Sequence, residues 1–410
     1  MFNEVATTES NPKWSVLVQR QESLYSRSQD PRSEFARDYN RILHCTAYRR
    51  LKHKTQVFFA PQNDHICTRI EHVNHVTAIS YTIAKALNLN TELTNAIATA
   101  HDLGHAPFGH EGEKILDDIA TQASGYKFWH EKNSLWFVDN LETLTNPHNE
   151  HENLNLTYAV RDGIVCHCGE IDEPFLHPRK RLLDLSKITK ADRFQPITWE
   201  GCAVKIADKI AFLGRDIEDA ILLQIITLRE FHRAYKDLRQ YLSDDLEYTD
   251  LLEINNTILI HHFVTDLCKS SNPEAGIRLS DSHLQLMKGI RRISEHLIYN
   301  NPRLKYFKKL ARLMLESIFE ALSLCYADKD TLVKLESRLK HCHLLRTTFS
   351  DWIVKYTNID EAKKKELRYK NKVVYGIEDQ RSYYKAIIDY VAGMTDEFVI
   401  ELFAELTRFR

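Results

Sequence analysis

Little in this 410-residue chain breaks a helix. Glycine (12) and proline (10) are both scarce, well below usual shares of ~7% and ~5%. That scarcity excludes a fold built on many tight turns. No apolar run reaches the ~18–20 residues of a membrane span, so no membrane partner is expected. The opening Met-Phe-Asn-Glu-Val-Ala has no basic segment followed by an apolar core, and the expected location is cytoplasmic. Eight cysteines occur without a Cys-x-x-Cys pair, a usage that fits reduced thiols. The Cys166-His167-Cys168 run lacks the spacing of a structural zinc site. An excess of one charge is missing too: 55 basic against 57 acidic residues give no overall pull toward nucleic acid.

What the chain does have is length for a large core and a dense cluster of titratable residues. His101-Asp-Leu-Gly-His-Ala-Pro-Phe-Gly-His-Glu-Gly-Glu113 puts three imidazoles and three carboxylates into thirteen positions. Upstream, Leu93, Ala96, Ile97 and Ala100 recur at i, i+3, i+4 and i+7, the inward face of a helix from Thr91. His101 follows Ile97 by four and continues that face, with Asp102 beside it. One imidazole nitrogen and one hard oxygen suit a mixed divalent-metal site, whereas an isolated buried His-Asp pair is more often structural.

The segments around it read as follows. Residues 1–31 are a mixed polar arm with a short helix near Trp14, and Arg32 to Phe59 reads as helical and basic. Residues 61–71, with Pro61, Asn63 and Asp64, form a loop leading through Arg69 into a helix from His72 to Leu87. On that helix His72 shares the face of Val76, Ile79 and Ile83, and His75 falls off it. Glu111 to Ile119 restarts a helix in which His110 and Glu113, three apart, face one way. A carboxylate bonded to an imidazole fixes its tautomer and raises its pKa, as a general acid requires. Asn155 to Val165 reads as a buried helix, and 172–198, with its prolines and mixed charges, as a surface excursion. Trp199 to Leu223 reads as one long helix, whose Asp208, Phe212, Arg215 or Asp216, and Asp219 form a polar stripe between apolar flanks. That pattern favours a polar cavity.

His72, His101, Asp102 and Asp208 thus come from three helices, in the order expected of a helical bundle enclosing one ion. Here the sequence resembles the HD-domain superfamily and, within it, the deoxynucleoside-triphosphate triphosphohydrolases (dGTPases). The resemblance includes Arg37-Asp38-Tyr-Asn-Arg41-Ile, Ala47-Tyr-Arg-Arg-Leu-Lys-His-Lys-Thr-Gln56-Val-Phe, Arg69-Ile-Glu-His72 and the whole 101–113 stretch. It continues through His130-Glu131, Leu154-Asn-Leu-Thr, Trp199-Glu-Gly-Cys-Ala-Val-Lys-Ile-Ala-Asp208-Lys-Ile-Ala-Phe212-Leu-Gly-Arg-Asp216 and Asp389-Tyr-Val-Ala-Gly-Met-Thr-Asp396. It is weakest over 225–370.

The resemblance implies hydrolysis of a dNTP to a deoxynucleoside and inorganic tripolyphosphate. It implies His72, His101, Asp102 and Asp208 as ligands of a divalent metal, with Mn, Mg, Fe and Zn all compatible. His105, His110 and His130 resemble the catalytic imidazoles near the α-phosphate, with His110, supported by Glu113, as the acid for the 5′ oxygen. Gln56 and Asp216 resemble the groups holding the sugar 3′-hydroxyl, and Arg69 and Lys209 the triphosphate ligands. Phe212 stands where the family commonly has tyrosine. Relatives are commonly homo-oligomers regulated by dNTPs or single-stranded DNA, which implies a dimer-based assembly, up to a hexamer, with such an effector.

Two other readings remain open. One is a different phosphohydrolase or phosphodiesterase on the same HD scaffold. The other is a nucleotide- or single-strand-binding regulator using the basic segments Lys288–Arg292, Arg303–Lys309 and Lys363–Lys370. The expected architecture is all-α: an HD-domain helical bundle with additional C-terminal helices and at most a small hairpin. The expected divisions are an arm at 1–31, a metal-dependent core at 32–225 and a C-terminal helical region at 226–410.

Overall fold

Side-chain caps fix the starts of several helices, among them those beginning at Thr91, Trp199, Asp281, Gln380 and Asp396. The computed structural model describes residues 1–25, 29–59, 63–168, 173–191, 193–236 and 256–408. Pro61 and Asp172, at the edges of two sequence-read loops, lie outside the described residues. The protein is all-α, apart from an antiparallel hairpin pairing Thr143–Thr145 with His151–Asn153 in the register Leu144↔Glu152. No helix among the described residues is long and apolar enough to cross a membrane. The chain forms two compact units, Met1–Asn40 with Gln62–His101 and Leu156–Tyr306, and Arg41–Pro61 with Asp102–Asn155 and Phe307–Arg410.

The first unit is centred on the helices Arg69–Ala86, Thr91–Ala100, Tyr158–Cys166 and Trp199–Leu222. The Arg69–Ala86 helix starts three residues before the sequence-read His72. Thr68 and Glu71 form a capping box there, with the Thr68 amide donating to Glu71 at 2.7 Å. Val73, Val76 and Ile83 of this helix are fully buried. Asn90 caps the next helix by accepting from the amides of Glu92 and Leu93. The Tyr158–Cys166 helix packs on Thr91–Ala100 at Gly163, where an added Cβ would stand 2.5 Å from Ile97 Cδ1. The N-terminal residues are tied in by polar bonds. The Thr7 amide and hydroxyl donate to buried Glu200, and Arg20 pairs with buried Asp38, which also accepts from Thr157.

The second unit packs the Gly109–Ser124 helix on Gln380–Ala392, with His343–Tyr356 against Thr331–Arg338, Glu361–Glu366 and Asp396–Thr407. Buried carboxylates serve as hubs here. Asp389 accepts from Trp136 Nε1, Tyr375 Oη and Lys385 Nζ at 2.7–2.8 Å. Glu142 accepts from Arg50, the Thr46 hydroxyl and the Ala47 amide. The helix read from Arg32 to Phe59 is shorter than its periodicity suggests. It divides into Glu34–His44 and Thr46–Arg50, followed by one 3-10 turn at Leu51–His53. Beyond that turn the Thr55 amide bonds to the Asp396 carboxylate, a tertiary bond that replaces a helical one.

Gly163→Ala is expected to destabilise the protein by about 1–3 kcal/mol, the usual cost of overpacking a filled helix crossing. Denaturant midpoints of the two proteins measure it, and an unchanged midpoint would show that this crossing has slack.

Candidate active site

Three of the sequence-nominated metal ligands meet in the first unit. His72 stands in the first turn of its helix, His101 directly follows Ala100, and Asp208 lies midway along Trp199–Leu222. His72 Nε2 is 3.0 Å from Asp208 Oδ1, and His101 Nε2 is 3.8 Å from the same oxygen. All three ligand atoms fall within 4.8 Å of one another. The His101 Nδ1–H donates to the Ala98 carbonyl at 2.7 Å, so in the neutral ring Nε2 carries the lone pair that faces Asp208. A lone pair and a carboxylate oxygen turned toward each other in a buried place favour a cation between them. Burial pushes the Asp208 carboxyl up. The His72 hydrogen bond and the charges of His101, His72 and His167 more than offset it, and the group lies well below the usual carboxylate range. The donor set therefore fits a divalent ion. Asp102, the fourth nominated ligand, is the next residue after His101 and belongs to the second unit.

His167 was missed in the sequence. It ends the Tyr158–Cys166 helix, and its ring meets His101 edge-on at 4.9 Å between centroids. Its signal was position three beyond the buried Ile164, hidden by the two cysteines that flank it. Those cysteines are buried free thiols, and no metal-competent group among the described residues includes either one.

The second unit gathers the nominated imidazoles. The left-handed backbone of Phe108 (φ 62) turns the chain into the Gly109–Ser124 helix, two residues earlier than its pattern suggested. His110 Nδ1 is 3.2 Å from Glu113 Oε2, the expected i, i+3 pair. The other Glu113 oxygen takes His130, accepting its amide at 2.7 Å and lying 3.0 Å from Nδ1. One carboxylate thus orients two imidazoles, and the second was not foreseen from spacing. His105, fully buried, stacks on His130 at 4.7 Å. Ligand atoms of His105, His110, Glu113 and His130 also lie within 4.8 Å of one another. Burial pulls His130 down, but Glu131, Glu113 and Asp102 raise it well above the ordinary histidine value. Burial pushes Glu113 up, yet His130, His110 and His105 hold it well below the carboxylate range. Glu131, buried and 3.5 Å from His130 Nδ1, is a further member that sequence reasoning left out.

The nominated substrate groups are placed as follows. Gln56 lies in the non-helical segment of the second unit and is buried. Arg69, the first residue of its helix, is 1% exposed. Lys209 and Asp216 are buried on Trp199–Leu222, and Phe212 between them is half-buried. Tyr299 donates its hydroxyl to Asp216 Oδ2 at 2.5 Å, a partner 83 residues away that no local pattern announces. On the same stripe Asp219 accepts the Cys67 amide at 3.0 Å and lies 3.2 Å from Arg215 Nε, tying down the segment that leads into Arg69.

A family model described as the HD domain matches residues 69–213. The chain is 32% identical over 394 residues to a deoxyguanosinetriphosphate triphosphohydrolase-like protein of Geobacter metallireducens, covering 92% of this chain and 89% of that protein. A protein of the same description from Caldanaerobacter subterraneus is 30% identical over 377 residues, covering 92% and 86%. One from Rickettsia rickettsii is 29% identical over 389 residues, covering 92% and 91%.

Burial pushes the Asp219 carboxyl up to about 6, against the Cys67 amide and Arg215. This lies above the ~3.9 of an unfolded Asp, so the folded state holds the extra proton, and stability falls as pH rises between those values. Asp219→Asn keeps an oxygen for the Cys67 amide. It is expected to gain on the wild type between about pH 4 and about pH 6 and to keep that gain at higher pH, read as the difference in melting temperature. A difference that stays constant with pH would contradict this.

Proposed function

The chain belongs to the family of deoxyguanosinetriphosphate triphosphohydrolase-like proteins that carry the HD domain, and on that premise we propose that it hydrolyses a deoxynucleoside triphosphate to the deoxynucleoside and inorganic tripolyphosphate. The observation that carries the reading is the convergence of His72, His101 and Asp208, with one imidazole tautomer set by a backbone carbonyl. In the proposal these three and Asp102 hold one divalent ion, whose identity among Mn, Mg, Fe and Zn the donor set leaves open. Such an ion supplies Lewis acidity toward a phosphoryl oxygen and makes hydroxide available near neutral pH.

The remaining steps belong to the chain's own groups. Water oxygen forms a bond to the α-phosphorus while one of its O–H bonds breaks, that proton passing to bulk water, from which His110 is later reprotonated. The bond from the phosphorus to the 5′ oxygen breaks. His110 gives its proton to the departing oxygen, with Glu113 holding the imidazole by the Nδ1 contact. His105 and His130 line the α-phosphate. The guanidinium of Arg69 and the ammonium of Lys209, both buried, neutralise triphosphate charge in a low-dielectric setting. Gln56 and Asp216 take the 3′-hydroxyl. Asp216 is oriented by the Tyr299 hydroxyl, which comes from another segment of the chain. We further propose a dimer-based homo-oligomer responsive to a dNTP or single-stranded DNA.

Incubation with each of the four dNTPs, separately and mixed, with Mn²⁺ or Mg²⁺ tests the reaction. Tripolyphosphate is the expected product; pyrophosphate or a monophosphate would assign a different HD hydrolase, and no turnover a binding protein. Mixing exposes activation of one nucleotide's hydrolysis by another. His110→Ala is expected to lower kcat by ~10²–10⁴-fold with KM little changed. Asp208→Ala is expected to lose both turnover and bound metal, the latter read by elemental analysis, and retention of metal would remove Asp208 from the ligand set.

A further inference from the structure

One carboxylate in the second unit joins two distant backbone segments. Asp396 is the first residue of the Asp396–Thr407 helix and is 3% exposed. It does not serve that helix as a cap, because Thr395 accepts the Phe398 amide and fills the role. Its oxygens point elsewhere. Oδ2 accepts the Thr55 amide and Oδ1 the Phe108 amide, each at 2.9 Å. Beside it Lys54, 2% exposed, donates its ammonium to the carbonyl oxygens of His105 and, at 2.8 Å, Ala392.

The two segments also meet directly. Phe108 (φ 62) and Gly109 (φ 61) both adopt left-handed backbone, and a Cβ on Gly109 would stand 2.8 Å from the Gln56 carbonyl oxygen. A non-glycine residue holds such a conformation only where its surroundings over-determine it. The amide bond to Asp396 is one of those determinants. Gln56 is the residue after Thr55, and His110 comes two after Phe108. Both chemically nominated side chains therefore start from backbone that this carboxylate fixes.

We infer that Asp396 is a positioning residue that sets the spacing between Gln56 and His110. The inference rests on the reaction proposed above, in which Gln56 holds the 3′-hydroxyl and His110 protonates the 5′ oxygen. These are opposite ends of one deoxyribose, so the carboxylate gauges the sugar's length. A 3′-hydroxyl gripped by Gln56 then delivers the 5′ oxygen to His110 in register, and a sugar without it does not. Asp396 itself touches neither the sugar nor the phosphate in this account.

The test compares wild type with Asp396→Asn and Asp396→Ala. Asparagine keeps the size but presents one oxygen and one NH2, which cannot accept an amide proton. Three quantities are read: kcat and KM on the favoured dNTP, the same on its 2′,3′-dideoxy analogue, and deuterium exchange of the peptides spanning Thr55–Phe59 and Phe108–Gly112. Exchange in both segments is expected to rise together. The kcat on the dNTP is expected to fall about a hundredfold, the scale of a small misplacement of reacting groups. The preference for the 3′-hydroxyl substrate is expected to shrink about tenfold or more, since a site built around a hydroxyl loses discrimination when its partner shifts.

Equal losses on the two substrates would make Asp396 merely structural and overturn the inference, as would exchange rising in one segment alone or in neither. If the alanine protein does not fold, the asparagine protein carries the same readouts. Should the wild type release no tripolyphosphate from any dNTP, the proposed reaction fails by itself. The paired exchange result then still decides whether the carboxylate holds both segments.

Discussion

A carboxylate withdrawn from water survives as a charge only while imidazoles, ammonium groups or amide protons surround it. That constraint shapes both units. In the first, Asp208 is held ionised by the hydrogen bond from His72, and in the second Glu113 by His110 and His130. Glu142, Asp389 and Asp396 are also buried and accept hydrogen bonds without any imidazole, from arginine, lysine, tyrosine, tryptophan and backbone N–H groups. The imidazole-rich hubs suit chemistry because an imidazole can exchange its proton near neutral pH, which guanidinium and amide groups cannot. The others suit scaffolding.

Within the second unit the C-terminal helices belong to the scaffold of the nominated catalytic stretch. Their polar groups reach the segments that carry Gln56, His105 and His110 through Asp396, Lys54 and the Ala392 carbonyl. Family membership extends over that region, since the relatives align across 92% of this chain while the HD-domain model itself ends at residue 213. The basic segments that suggested a nucleic-acid reading have part of their charge answered locally. Arg291 pairs with Glu295, Lys308 with Glu111, Lys363 with Asp351 and Lys370 with Glu150. These contacts favour the reading in which they are solvated or structural faces, and catalysis stays the leading proposal.

Helices, their faces and the chemically active stretch were legible because each depends on local periodicity. The i, i+4 continuation from Ile97 put His101 on a buried face, and the i, i+3 spacing of His110 and Glu113 foretold their contact. Boundaries were less legible. Thr68 with Glu71 moved one helix start by three residues, and the tertiary bond from Thr55 to Asp396 ended another run early. His167 and Tyr299 were not nominated because their partners, His101 and Asp216, lie far off along the chain, whereas Glu131 stands next to its partner His130 and was passed over.

By itself the sequence determined the all-α class, the family and the types of side chain available for chemistry, because composition, spacing and motif are properties of the chain before it folds. Only the tertiary structure decided which atoms face which: that Glu113 serves two imidazoles, that His167 lies against His101, and that Asp396 ties Thr55 to Phe108. Hydrogen bonds and charge pairing act over a few ångströms of space, and separation along the chain does not measure that distance.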